Sequence, residues 1–177
     1  YIDGVIASLS LPIFNFYHSL TLISTYSSTS IWQKKRILKL VKMNQRQMQK
    51  WANSAPMNYL HKYYLVEAER NRVLGNCNQA IDNYDRAITL AQKNAYLQEE
   101  ALANELAAKF YLELGKDTIA RIHLLNARSC YLVWGAIAKV KALDTKYARL
   151  LFTLANQSHK FTASHNINIH TSDRLLD

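Results

Sequence analysis

Apolar residues recur at helical spacing along nearly the whole chain, from about residue 12 to residue 151, and this one feature removes most fold classes. Short β-branched alternation bounded by turn dipeptides is missing, and neither Asn-Gly nor Gly-Gly occurs. The periodicity predicts helices near 12–27, 31–52, 57–74, 77–93, 96–114, 117–132 and 136–151. Pro56 suits a first helical turn, where its missing N–H costs nothing. Asn76, with Gln79 three residues on, has capping-box spacing, and Gly75 and Gly115 suit the breaks after the preceding helices. Beyond about Asn156 the pattern fades, so 1–155 reads as a helical domain and 156–177 as a polar linker or tail.

The 177 residues suffice for one domain with its own core. Gly4, Gly75, Gly115 and Gly135 are the only glycines. They fit neither G-x-G-x-x-G nor G-x-x-x-x-G-K-S/T, so no phosphate loop can be written in this chain. Cys77 and Cys130 are far apart and form no C-x-x-C pair, a usage that points to a reduced, cytoplasmic protein. Cys130 falls on an apolar helix and reads as core, while Cys77 follows a turn. The nearly uncharged stretch before Lys34 contains Asp3, Pro12, Asn15 and His18, so no run of about 18 apolar residues exists and no membrane insertion is expected.

The net charge of +9 is unevenly spread. Between Gly4 and Val66 there are eight Lys or Arg and no acidic residue. Lys35, Lys39, Lys42, Arg46 and Lys50 step by four, three, four and four, which places them on one stripe of the 31–52 helix. Ile31, Leu38, Val41, Met48 and Ala52 are expected on another face, with Trp32 and Trp51 near the ends. Such a stripe is either a solvated face opposite a core face or a binding surface for an acidic protein, lipid or nucleic acid. No nucleic-acid module accompanies it, so no nucleic-acid partner is expected.

Aligning Gly75 with Gly115 superposes Ala68 on Ala108, Ala80 on Ala120, Tyr84 on Leu124 and Ala87 on Ala127. A small residue, a gap, Gly, then Ala-x3-large-x2-Ala is the pattern of a tetratricopeptide helix–turn–helix. Small residues let two helices approach closely, and the large one fills the space between units. The spacing here is 40 residues instead of 34, and the Trp, Leu and Pro positions of the standard repeat are mostly unmatched. The fold expected is all-α: antiparallel tetratricopeptide-like hairpins at 57–93 and 96–132 in a right-handed array, capped by the 136–151 helix. Ala68, Tyr84, Ala87, Ala108, Tyr111, Leu124, Ala127 and Trp134 are the expected packing residues. An irregular helical bundle is the competing architecture.

Chemistry is sparse. The histidines form no H-E-x-x-H, and His165 with His170 makes a poor metal pair, so neither metal nor cofactor is expected. Asp82, Asp85, Glu99, Glu100, Glu105 and Glu113 read as surface charges, whereas Glu67 and Glu69 sit among apolar residues beside Arg70 and Arg72. The stretch Leu154–Lys160 is similar to the phosphoacceptor box of sensor histidine kinases, but Lys160 stands where an acidic residue would follow His159. With no Arg, Thr or Pro after it, phosphorylation of His159 is not expected.

Four stretches are more specific than periodicity requires: NFYHSL (15–20), APMNYLHKYYLVEAE (55–69), EEALANELAAKFYLELGK (99–116) and YLVWGAIAKVKAL (131–143). They resemble the helical repeat region of very large bacterial multi-sensor signalling kinases, over about residues 12–151. In that family a Ser/Thr protein kinase domain and an AAA-type ATPase precede the helices, and a GAF domain and a histidine kinase follow. The resemblance implies a non-catalytic scaffold and interdomain relay whose partners are neighbouring domains or another protein. No catalytic residue of the family has a counterpart here, and Leu114 stands where the family more often has Trp. The alternative is a stand-alone adaptor that binds an acidic protein or peptide through the basic stripe.

Overall fold

A computed structural model of the chain describes residues 2–152, with side chains from residue 10 onward. The 156–177 tail, the domain limit at 155 and the histidines His159, His165 and His170 lie outside the described residues. The described backbone is helical with short turns and contains no strand. Its elements are α1 (Ile2–Ser24), α2 (Ile31–Ser54), α3 (Pro56–Val73), α4 (Cys77–Lys93), α5 (Leu97–Glu113), α6 (Asp117–Trp134), α7 (Ile137–Lys146) and α8 (Ala148–Phe152), with a 3-10 turn at Tyr26–Ser28.

Each helix packs on the next, and α1 also touches α3, as α3 touches α5. Cross-helix contacts give the directions. Tyr84 reaches Glu69 and Arg86 reaches Tyr64, so α3 and α4 run antiparallel. In the same way Tyr131 meets Glu105 while Tyr111 stacks on His123 in α5 and α6. Alanines make this closeness possible: Ala68, Ala80, Ala87, Ala108, Ala120 and Ala127 are all buried where helices meet. Tyr84 and Leu124, the large members of the aligned units, are also buried, as is Tyr111.

Four turns share one geometry at a constant interval. Gly75, Ala95, Gly115 and Gly135, spaced by 20 residues, all have positive φ (77°, 59°, 69° and 84°). At each, the left-handed residue donates to the carbonyl three back, and the next residue donates to the carbonyl five before itself, as in Gly75→Arg72 and Asn76→Asn71. This double bond pattern satisfies carbonyls left free at a helix end and reverses the chain in three residues. The 40-residue self-similarity is therefore two helix-and-turn modules of equal length.

Several expectations need correction. The first helix does not begin at residue 12: α1 starts at Ile2 and Pro12 lies within it. Pro12, Phe16, Ser19 and Ile23 form one fully buried face, and that burial offsets the hydrogen bond a mid-helix proline gives up. The 136–151 helix is broken at Tyr147 into α7 and α8. Asn76 does not cap α4; its amide donates backward to Asn71 Oδ1 at 3.1 Å. A reciprocal capping box forms instead at Ser30 and Gln33, ahead of α2. Trp134 is not a buried packing residue: it sits in the last turn of α6, 52% exposed, with its ring tilted toward Tyr131 at 6.5 Å.

Candidate functional site

Two features set this helical stack apart from a plain bundle. One is an uncovered basic face on α2, and the other is a set of buried polar joints between successive helices.

On α2, Ile37, Val41, Gln45, Met48 and Ala52 face inward. The buried register begins at Ile37; Ile31 is 72% exposed and Leu38 is only half-buried, contrary to the expected apolar face. At about 100° per residue, Lys35, Lys39, Lys42, Arg46 and Lys50 lie roughly 100–180° around the helix from the centre of that face. All five are exposed. Trp32, 80% exposed, projects from the same side with Lys35 Nζ 5.4 Å from its ring centre. Trp51 turns the other way and packs near Tyr59 of α3.

The first joint ties α3 to α5. Lys62 Nζ lies 3.0 Å from Glu99 Oε1, donates to the Asn58 carbonyl at 3.2 Å and sits 4.3 Å above the Tyr96 ring. Tyr96 in turn donates to Asn58 Oδ1 at 2.8 Å. Burial pulls the Lys62 ammonium below its usual range, and Glu99 opposes that shift. His61 contacts Lys62 through Nε2, and burial together with that charge drives its pKa down to about 3. Both Glu99 and Glu105, expected on the surface, are buried.

The second joint centres on Glu69, which accepts from Arg72 and from the Tyr84 hydroxyl. Arg72 also reaches Glu113 of α5 at 3.3 Å. In the third, Glu105 accepts from Lys109 at 2.8 Å, Lys139 of α7 at 2.7 Å and Tyr131 of α6 at 2.9 Å. Burial would raise its carboxyl, but those donors outweigh it and hold the pKa at about 2. Arg128 forks onto Asp144 with bonds of 2.7 and 3.0 Å, fixing α6 to α7. Glu67 joins α2 and α3, accepting from Gln45 at 3.0 Å and from Arg70 at 2.7 Å.

Among the described residues no three His, Cys, Asp or Glu side chains converge as a metal site would require. Cys77 and Cys130 are both half-buried, and burial with Glu100 nearby pushes the Cys130 thiol up to about 11. A groove of about 260 Å³ between α1 and α5 is lined by Tyr17, Leu20, Leu102 and Leu106, with Glu69 of α3 also in its wall. A second groove, of about 430 Å³ between α3 and α4 and lined by Leu60, Tyr64, Asp85, Arg86, Thr89 and Leu90, falls within the roughly 300–1,000 Å³ of ligand pockets. No helix among the described residues is long and apolar enough to cross a membrane. The basic face was legible from spacing alone. The pairing of Glu67 and Glu69 with Arg70 and Arg72 was legible as well, but Lys62–Glu99, Arg72–Glu113 and Lys139–Glu105 were not, because each unites residues more than 30 positions apart.

No family model matches this chain, and no solved structure matches it. A stretch of 63 residues, 36% of the chain, is 40% identical to part of hybrid signal transduction histidine kinase G of Dictyostelium discoideum. The chain spans about 2% of the length of that curated relative.

Proposed function

We propose that this chain is a non-catalytic, tetratricopeptide-like scaffold and relay, working as a helical segment of a large signalling kinase. The observation that carries the reading is the row of charged joints along α3, α5 and α7: Lys62–Glu99, Arg72–Glu113 and Lys139–Glu105. Apolar contacts tolerate sliding, whereas a hydrogen-bonded ion pair has a definite geometry. Helices joined this way pass a tilt at one end to the next unit instead of absorbing it. The constant 20-residue turn interval supports a right-handed array of repeated hairpins.

The partial likeness to a histidine kinase supports the signalling context. A parent of the multi-sensor type would supply Ser/Thr kinase, ATPase, GAF and histidine-kinase domains on either side, in the cytoplasm. Relay would then join the ATPase and sensor halves, with neighbouring domains as the first partners.

Coupling is measurable in the isolated chain. Glu105→Gln keeps the side chain's shape while weakening its bonds to Lys109 and Lys139. Hydrogen exchange followed by mass spectrometry should then quicken in α3 and α4 as well as in α6 and α7. Changes confined to α5–α8 would end the relay reading, and phosphoryl transfer from ATP by the purified chain would end the non-catalytic one.

A further inference from the structure

We propose that the exposed face of α2 is a docking surface for an acidic amphipathic helix of a partner protein. This stands apart from the relay reading, which concerns the interior of the stack. Elsewhere the molecule pairs many of its cations: Lys62, Arg70, Arg72, Lys109, Arg128 and Lys139 all bond carboxylates. Lys35, Lys39, Lys42, Arg46 and Lys50 are exposed and have no carboxylate within 4.0 Å among the described residues. Their own stretch of sequence has none to offer, since no acidic residue occurs between Gly4 and Val66.

The helix dipole sharpens the imbalance. The first turn of α2 has no acidic residue, and Lys34, Lys35 and Arg36 crowd its positive end. A carboxylate-bearing partner relieves both the mutual repulsion and the dipole.

The occupant follows from what shares the face. Trp32 and Met43, 80% and 56% exposed, lie on the same arc of the helix as the cations. They offer an apolar contact that a run of phosphates does not use. A membrane surface is a poor fit, because an interfacial helix sinks its apolar face and here Ile37, Val41, Met48 and Ala52 are already in the core. A second copy would bring another net +9. A helix with carboxylates at i, i+4, i+7, i+11 and i+15 matches the stripe along about 22 Å, and an aliphatic residue on it can cover Trp32.

The test uses the full chain and a fluorescein-labelled helical peptide of about 20 residues. The peptide carries Glu at that spacing and one Leu placed to meet Trp32. Its Gln counterpart, phosphatidylserine vesicles and a duplex DNA serve as competing probes. Anisotropy should show binding of the Glu peptide, weakening with salt, and not of the Gln peptide. The combined Lys39→Glu, Lys42→Glu and Arg46→Glu variant should weaken it about tenfold or more, with an unchanged helical circular dichroism spectrum. Trp32→Ala should weaken binding with no change in its salt dependence. Glu-peptide binding that survives the charge reversal overturns the proposal. So does an absence of peptide binding, whether or not vesicles or DNA bind.

Discussion

Lys62 Nζ stands 3.0 Å from Glu99 Oε1, and both side chains are nearly sealed from water, so an ion pair joins α3 to α5 from inside the stack. Such a pair gains little over a hydrophobic match, because desolvating two charges offsets most of their attraction. Its contribution is geometric: only one arrangement of the two helices satisfies both ends.

Removing one partner is therefore far worse than removing both. Glu99→Ala leaves a buried ammonium with only neutral contacts and should cost about 3–5 kcal/mol in urea unfolding. The double variant Lys62→Met with Glu99→Leu should recover most of that loss. A double variant as unstable as Glu99→Ala alone would show that the pair sets stability as well as geometry.

Acid should loosen the same region. The folded-state pKa of His61 is driven down to about 3 from 6.5, so below pH 6.5 the unfolded chain binds a proton the folded chain refuses. Stability is complete above 6.5 and falls as the pH drops toward 3, by up to about 1.4 kcal/mol per unit. Glu105 adds to the loss in a lower window, from 4.5 down to about 2, because its carboxylate is held charged by Lys109 and Lys139. Urea midpoints measured across pH should fall first through the histidine window. His61→Leu should flatten that upper limb and leave the lower one in place.

Core truncation should separate two residues that sequence placed together. Leu124 is wholly enclosed by α5, α6 and their neighbours, and Leu124→Ala should cost about 2–5 kcal/mol through the cavity it leaves. Trp134 is half exposed at the end of α6, so Trp134→Ala should cost about 1 kcal/mol or less. Thermal unfolding of both variants measures the difference directly.

What the sequence revealed and what it hid divide along physical lines. Helix positions were readable because apolar spacing is a local property: α4 spans Cys77–Lys93, as its periodicity predicts. The alanine pattern around Gly75 and Gly115 was readable because close packing restricts residue size. Glu99 and Glu105 were misjudged as surface charges, since a carboxylate's partner sits on another helix and only the folded chain brings it near. Trp134 was misjudged because size alone does not say which side of a final turn faces the core.

Ala95 is the most instructive omission, because it adopts the left-handed conformation with φ of 59° where Gly75, Gly115 and Gly135 do the same. Sequence marks such a turn by glycine, and here alanine carries it. A Cβ in that region costs roughly 1–2 kcal/mol, partly offset by the smaller backbone entropy alanine has to lose. Ala95→Gly should therefore stabilise the chain by about 0.5–1 kcal/mol. The reverse change tests the same physics from the other side. At Gly115 an added Cβ meets nothing within 4 Å, so Gly115→Ala carries a conformational cost with no clash, about 1 kcal/mol. Opposite shifts of similar size in urea midpoint would show that the turns are interchangeable modules. A destabilising Ala95→Gly would mean that the α4–α5 turn is held by its own contacts and not by the backbone conformation it shares with the other three.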